Sequence, residues 1–219
     1  MNVIPFPRRP EPEPLAFAIG ARVDLRVGAL AAGVVRPRGI LEDVFAFSNL
    51  TRLIRGARMA WRERGQHSGL VLSVPRDIQT RLEAEFLSDA ANEAGCTRQS
   101  FTFELDERQI VAAGPALAEQ LRERGWGVAL RSDPDCPLPF GARARAIYTE
   151  IVIDAPEDAN PFMALDDADR SPLGRRLLAA KAAGLIITAE TVRTAAQARI
   201  LAIAGFDRGG GPFAEAGLR

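Results

Sequence analysis

An α/β fold closed into a barrel is what this sequence predicts, and three observations predict it. Short apolar runs alternate with longer stretches of helical spacing from Leu15 onward. Eight such runs occur, the number that closes a barrel. Gly95, Gly125, Gly184 and Gly205 each stand where a helical stretch should stop, and a new apolar run begins within about six residues, the short link expected between helix and strand.

The segment before the first run, MNVIPFPRRPEPEP, has proline at positions 5, 7, 10, 12 and 14. Proline removes backbone donors and fixes φ, so residues 1–14 read as a tail, either a solvated extension or a polyproline ligand for a partner. The predicted strands are Leu15–Ile19, Ala29–Val35, Gly69–Val74, Ser100–Leu105, Gly127–Leu130, Glu150–Ile153, Leu185–Ala189 and a weaker one near Phe206. Amphipathic stretches over Phe45–Arg64, Asp77–Gly95, Pro115–Arg124, Pro172–Ala183 and Ala195–Ala204 supply the helices. Residues 15–219 therefore form one barrel domain. An eight-unit barrel usually takes about 250 residues, so this one is abbreviated. The predicted place for a short or missing helix is between Val35 and Phe45. An open dinucleotide-binding sheet is disfavoured, because no GxGxxG follows a strand and the cluster Gly209–Gly211 leads into Pro212.

Composition narrows the chemistry. Of 219 residues 47% are apolar and 26% charged, enough core-forming side chains for an independent fold. Lys plus Arg equals Asp plus Glu at 28 each, so no net field draws the chain to nucleic acid or an acidic membrane surface. No apolar run reaches membrane-span length and the amino terminus lacks a secretory pattern, which predicts a cytoplasmic protein. Cys96 and Cys136 have no CxxC spacing and His67 is the sole histidine, which argues against a disulfide framework and a zinc site. Trp61 and Trp126 read as buried aromatics.

The motifs VDLRVG at 23–28, ELDE at 104–107, VID at 152–154 and AETVRTAAQ at 189–197 resemble, in order and spacing, those of the EAL-domain family of cyclic di-GMP phosphodiesterases and their inactive relatives. The spacing from Arg131 to Asp154 is similar to that between the first aspartate of DDFGTG and the aspartate of KID. The resemblance covers nearly the whole folded part and implies a TIM-like (β/α)8 barrel of the EAL type. It also implies a site at the carboxyl ends of the strands, where carboxylates and one asparagine hold two divalent cations that activate water.

Residue by residue, that chemistry is altered. Val34 falls at the glutamate of the signature EAL, Ser73 at the asparagine, Arg131 and Ser132 at the paired aspartates, and Val152 at the lysine of KID. Arg193 takes the place of the second glutamate of AEGVE, and Gly209, Gly210 and Gly211 that of the final QGY. A vestige remains in Glu104 and Glu190, with Glu107 and Asp154 as supporting carboxylates. Arg131 either neutralises Glu104 or Glu190 across the barrel mouth or points to solvent. Arg38 aligns with an arginine that contacts phosphate in the family, and Arg36 lies near it. The acidic ALDD, with Asp166 and Asp167, reads as a loop, and moving Asp133 or Asp135 into the site would push them past a strand end.

These residues lead to the expectation of a catalytically inactive, EAL-like regulatory or protein-interaction module in cyclic di-GMP-related signalling, with no cofactor and no metal. The resemblance leaves open a cyclic di-GMP receptor without hydrolysis, and behind it a residual phosphodiesterase. Another protein is the expected partner; cyclic di-GMP as a ligand and a homodimer stay open, and neither nucleic acid nor membrane is expected.

Overall fold

The computed structural model describes residues 17–133, 136, 143–155 and 172–216. Eight strands form a closed barrel in chain order: β1 (Phe17–Asp24), β2 (Leu30–Pro37), β3 (Gly69–Ser73), β4 (Phe101–Asp106), β5 (Gly127–Arg131), β6 (Glu150–Asp154), β7 (Ile186–Glu190) and β8 (Arg208–Gly210). Neighbours from β2 round to β8 are parallel. Strand β1 runs antiparallel to both β2 and β8.

That inversion explains the abbreviation and corrects its predicted place. A parallel pair needs a crossover of a dozen or more residues, whereas an antiparallel pair needs only a hairpin. The helix is missing between β1 and β2, where Asp24 Oδ1 accepts from the backbone N–H of Arg26 (2.8 Å) and Val27 (3.1 Å) and Gly28 closes the turn at φ 72°. Between Val35 and Phe45 the chain instead makes a single helical turn, α1 (Leu41–Val44), before α2 (Phe47–Glu63). The first strand also runs further than Leu15–Ile19, to Asp24, because the polar Arg22 continues the pleat and is enclosed by the barrel. The eighth starts at Arg208, past Phe206.

The stretch Asp77–Gly95 divides into α3 (Arg76–Gln79) and α4 (Ala84–Glu93). Two short helices precede β5: α5 (Glu107–Ala113) and α6 (Ala116–Glu123). The others described are α7 (Ala144–Ile147), α8 (Pro172–Ala182), α9 (Ala195–Ala204) and α10 (Pro212–Ala216). None of the described helices is long and apolar enough to cross a membrane. The tail over 1–14 and the ALDD segment with Asp166 and Asp167 lie outside the described residues, as does Asp135.

The period-two alternation of each strand sorts its side chains to two faces. Leu70, Leu72, Phe101, Phe103, Leu105, Val128 and Leu130 meet Leu50, Leu53, Ile54 and Trp61 of α2, Leu87 of α4 and Leu121 of α6 in one apolar cluster. Phe101, Phe103 and Trp126 pack edge to face with centroids 5.2–6.1 Å apart. The Trp126 indole N–H donates to Ser88 Oγ on α4 at 2.9 Å. The opposite face holds a small apolar group, Ala32, Val34 and Val71, together with Ala129 and Val152 beside the polar side chains described below.

The buried Trp126 predicts a local test of this packing. Trp126→Ala removes the ring from both phenylalanines and strands the Ser88 hydroxyl. Denaturant unfolding should show a loss of about 3–5 kcal/mol.

Candidate functional site at the barrel mouth

The inward face converges on one arginine. Arg22 is fully buried, beside a slip in the β1–β2 ladder between Arg22 and Val23 that redirects the strand locally. Its Nε and Nη2 donate to Glu190 Oε1 at 2.9 and 2.6 Å, its Nη1 to Glu150 Oε1 at 3.2 Å, and its Nη2 also to Glu104 Oε2. The three glutamates, from β4, β6 and β7, are each under 5% exposed.

Their remaining oxygens are also taken. Glu104 Oε1 accepts from Ser73 Oγ (3.0 Å) and Arg131 Nη1 (3.5 Å). Glu150 Oε1 accepts from Thr188 Oγ1 (2.5 Å) and Oε2 from Arg208 Nη1 (2.9 Å). Glu190 Oε2 accepts from Arg36 Nη2 (3.2 Å), and Arg131 Nη2 reaches Asp154 Oδ1 at 3.0 Å. Four guanidiniums, Arg22, Arg36, Arg131 and Arg208, thus face four carboxylates. Gly210 makes the arrangement sterically feasible, since a Cβ there would lie 2.7 Å from Glu190 Oε2.

The charge states follow from this pairing. Burial works against ionisation of Glu104, but attraction to Arg22 and Arg131 outweighs it and holds the carboxyl below its ordinary range. Arg22 shows the mirror image: burial opposes its charge, and Glu104, Glu150 and Glu190 overcome that and bind its proton more firmly. For Arg131 too, burial is outweighed by Glu104 and Asp154.

A second buried cluster lies beside the first. Glu107 is completely buried at the start of α5 and accepts from Arg176 Nη1 on α8 at 2.8 and 2.9 Å, from Ser132 Oγ at 3.0 Å and from the Asp133 backbone N–H at 2.5 Å. Arg176 also donates to Ser132 Oγ (2.8 Å) and to the Cys136 carbonyl. This cluster ties the segment after β5 to α8. Glu107 therefore belongs to a separate ion pair and not to the group around Arg22.

Between the ends of β2, β3, β4 and β5 the mouth opens into a cavity of about 280 Å³ lined by Arg36, Ser73, Arg76, Glu104, Asp106 and Arg131, among others. Gln79 positions its far wall by donating to the Asp106 carbonyl (3.3 Å) and accepting from the Asp106 N–H (2.8 Å). Arg38 is exposed beyond the end of β2 and does not line the cavity; Arg36 does. Arg193 is exposed ahead of α9, its backbone N–H donating to Gln197 Oε1 at 2.8 Å. Val34 and Val152 are buried.

No family model matches the sequence, and no curated protein matches it. Solved structures do match. The PaMucR phosphodiesterase in complex with c-di-GMP superposes with a TM-score of 0.71 at 16% identity, over 90% of this chain and 93% of that one. The EAL domain of Mycobacterium smegmatis DcpA gives 0.62 at 21% identity, over 92% and 90%. The FimX EAL domain from Pseudomonas aeruginosa bound to c-di-GMP gives 0.63 at 12% identity, over 89% and 87%. The fold is that of EAL domains. One longer neighbour, an EAL enzyme with cAMP and cyclic-di-GMP bound, is spanned over 61% of its length.

The two divalent cations implied by the resemblance do not fit these residues. All six oxygens of Glu104, Glu150 and Glu190 are engaged by internal donors, and Arg22 lies at the point where the carboxylates converge. A divalent ion about 4 Å from that guanidinium would meet a repulsion on the order of 8 kcal/mol at an effective dielectric near 20. The cysteines offer no alternative ligand set: both are free, and burial pushes the Cys96 thiol up to about 11.

Sequence reasoning named Glu104, Glu190, Asp154 and Arg131, which the structure brings together, and missed Arg22, Glu150 and Arg208. The available signal was a charged residue flanked by apolar ones, Ala21-Arg22-Val23, within a strand.

Two outcomes follow for stability. Arg22→Met strands three buried carboxylates, and unfolding at pH 7 should show a loss of about 3–5 kcal/mol. Because the Glu104 carboxyl lies below its unfolded value of about 4.3, its contribution is present above that pH and is lost as pH falls through the folded value. Denaturant unfolding of the native protein and Arg22→Met at pH 7 and pH 3 should therefore give a smaller difference at the acidic pH.

Proposed function

We propose that this protein is a regulatory or interaction module built on an EAL-type barrel, acting in cyclic di-GMP-related signalling without hydrolysing the nucleotide. The observation that carries this reading is the fully buried Arg22, which joins Glu104, Glu150 and Glu190 at the barrel mouth. Two-metal phosphodiester hydrolysis needs free carboxylate oxygens to hold cations that lower the pKa of water and stabilise the leaving oxygen. Here those oxygens accept from guanidiniums and hydroxyls. Val34, Ser73, Arg131, Ser132 and Val152, which the resemblance aligns with catalytic positions, offer in their place two apolar side chains, two hydroxyls and a cation.

The second reading, a receptor that binds cyclic di-GMP and leaves it intact, is supported by the arginines around the mouth cavity and by the neighbours whose structures contain that nucleotide. Cytoplasmic residence is part of the same proposal; balanced charge and two free cysteines support it.

Purified protein incubated with cyclic di-GMP and excess magnesium or manganese should leave the nucleotide intact by chromatography. Linear dinucleotide formed in proportion to protein, and abolished by Glu104→Gln, would contradict the proposal.

A further inference from the structure

The mouth cavity has a surplus of donors, and that surplus points to a ligand. Its carboxylate oxygens are spent: Glu104 on Arg22, Ser73 and Arg131, and Asp106 on Arg76 Nη2 (2.9 Å) and the Arg108 backbone N–H (3.0 Å). Its guanidiniums are not. Among the described residues Arg36 and Arg76 each donate a single hydrogen bond and Arg131 two, although a guanidinium carries five N–H groups. Each is also held in place from behind: Arg36 by Glu190, Arg76 by Asp106, and Arg131 by Glu104 and Asp154. Anchored forks from three different elements, β2, α3 and β5, are thus presented to one cavity with N–H groups to spare.

We propose that Arg36, Arg76 and Arg131 form a metal-independent site for a phosphate monoester dianion. Planar guanidiniums match phosphoryl oxygens bidentately, and a compact dianion uses several forks at once where a singly charged diester uses fewer. The cavity volume suits the same choice. At about 280 Å³ it takes roughly the space of nine liquid waters at ~30 Å³ each, enough to enclose a terminal phosphate and the first atoms attached to it, with anything larger extending through the open mouth. The bound dianion is either the monoester end of a larger molecule or free phosphate, which presents the same oxygens. Either is held without a cation, because Arg131 supplies the positive charge next to Glu104. This inference rests on the metal-free reading of the mouth.

Calorimetry in excess chelator tests it, with inorganic phosphate, guanosine 5′-monophosphate and cyclic di-GMP as separate probes. Saturable binding of a monoester is expected: equal affinity for the first two identifies free phosphate as sufficient, and tighter binding of the nucleotide identifies a phosphorylated larger ligand. Arg36→Gln and Arg76→Gln should each weaken binding about tenfold or more, the loss of a charge-assisted hydrogen bond. Arg81→Gln, at an exposed pair with Glu42 away from the cavity, should leave it unchanged. Thermal unfolding of each variant reports whether the barrel is intact. No saturation by either inorganic phosphate or the nucleoside monophosphate, tighter binding of the cyclic diester, or affinities that ignore Arg36 and Arg76 in folded variants would overturn the assignment. None of these outcomes depends on whether the protein hydrolyses cyclic di-GMP, so the two proposals fail separately.

Discussion

A guanidinium sealed inside a barrel must be neutralised where it lies, and Arg22 sets that constraint here. Taking an ion out of water costs several kcal/mol even after relaxation, and the cost is recovered only when opposite charges and hydrogen bonds surround it. Glu104, Glu150 and Glu190 supply these from three separate strands. They leave the deep layer with an excess of two negative charges, so further cations are needed. Arg36 and Arg131 near the carboxyl ends of β2 and β5, and Arg208 at the start of β8, meet that need, with Asp154 completing the balance.

Much of the mouth geometry follows from this ladder of charges. Residue 210 must be small because Glu190 turns towards Arg22 and fills the space beside it. Ser73 adds a donor to Glu104 and Thr188 one to Glu150, on oxygens that Arg131 and Arg22 also reach. The neighbouring Glu107–Arg176 pair solves a similar problem at the segment after β5 and keeps Ser132 turned to Glu107 and away from the cavity. Polar networks of this kind stabilise only when every member is satisfied. The chain has therefore used its inward face for internal pairing, and the donors left over are concentrated at the opening.

The barrel itself was largely legible, because outward-facing apolar residues repeat along each strand and glycine ends the helices before β5, β7 and β8. The β1–β2 inversion was not, since a hairpin and a shortened crossover leave similar local patterns until Asp24 and Gly28 are seen to close the turn. Stopping the first strand at Ile19 put Arg22 outside the barrel in the sequence reading. Glu150 looked like an ordinary strand start. The pairs that unite them span 82, 128 and 168 residues, distances over which periodicity carries no information. Arg131 was the exception: the resemblance placed it beside carboxylates, and the register of β4 and β5 sets it opposite Asp106, from where it reaches Glu104 diagonally on the same face. Arg36 and Arg38 were both open as phosphate contacts; β2 ends at Pro37, so Arg36 is held on the strand and lines the cavity while Arg38 lies past the end.

The central claim is that Arg22 stands in for a bound cation, and manganese reports on it directly. Titrating the native protein with Mn²⁺ at pH 7 and following the free-ion paramagnetic resonance signal should give a line that rises with added metal as it does in buffer. Loss of about two equivalents of that signal per chain, restored when Glu104 and Glu190 are changed to glutamine, would contradict the account.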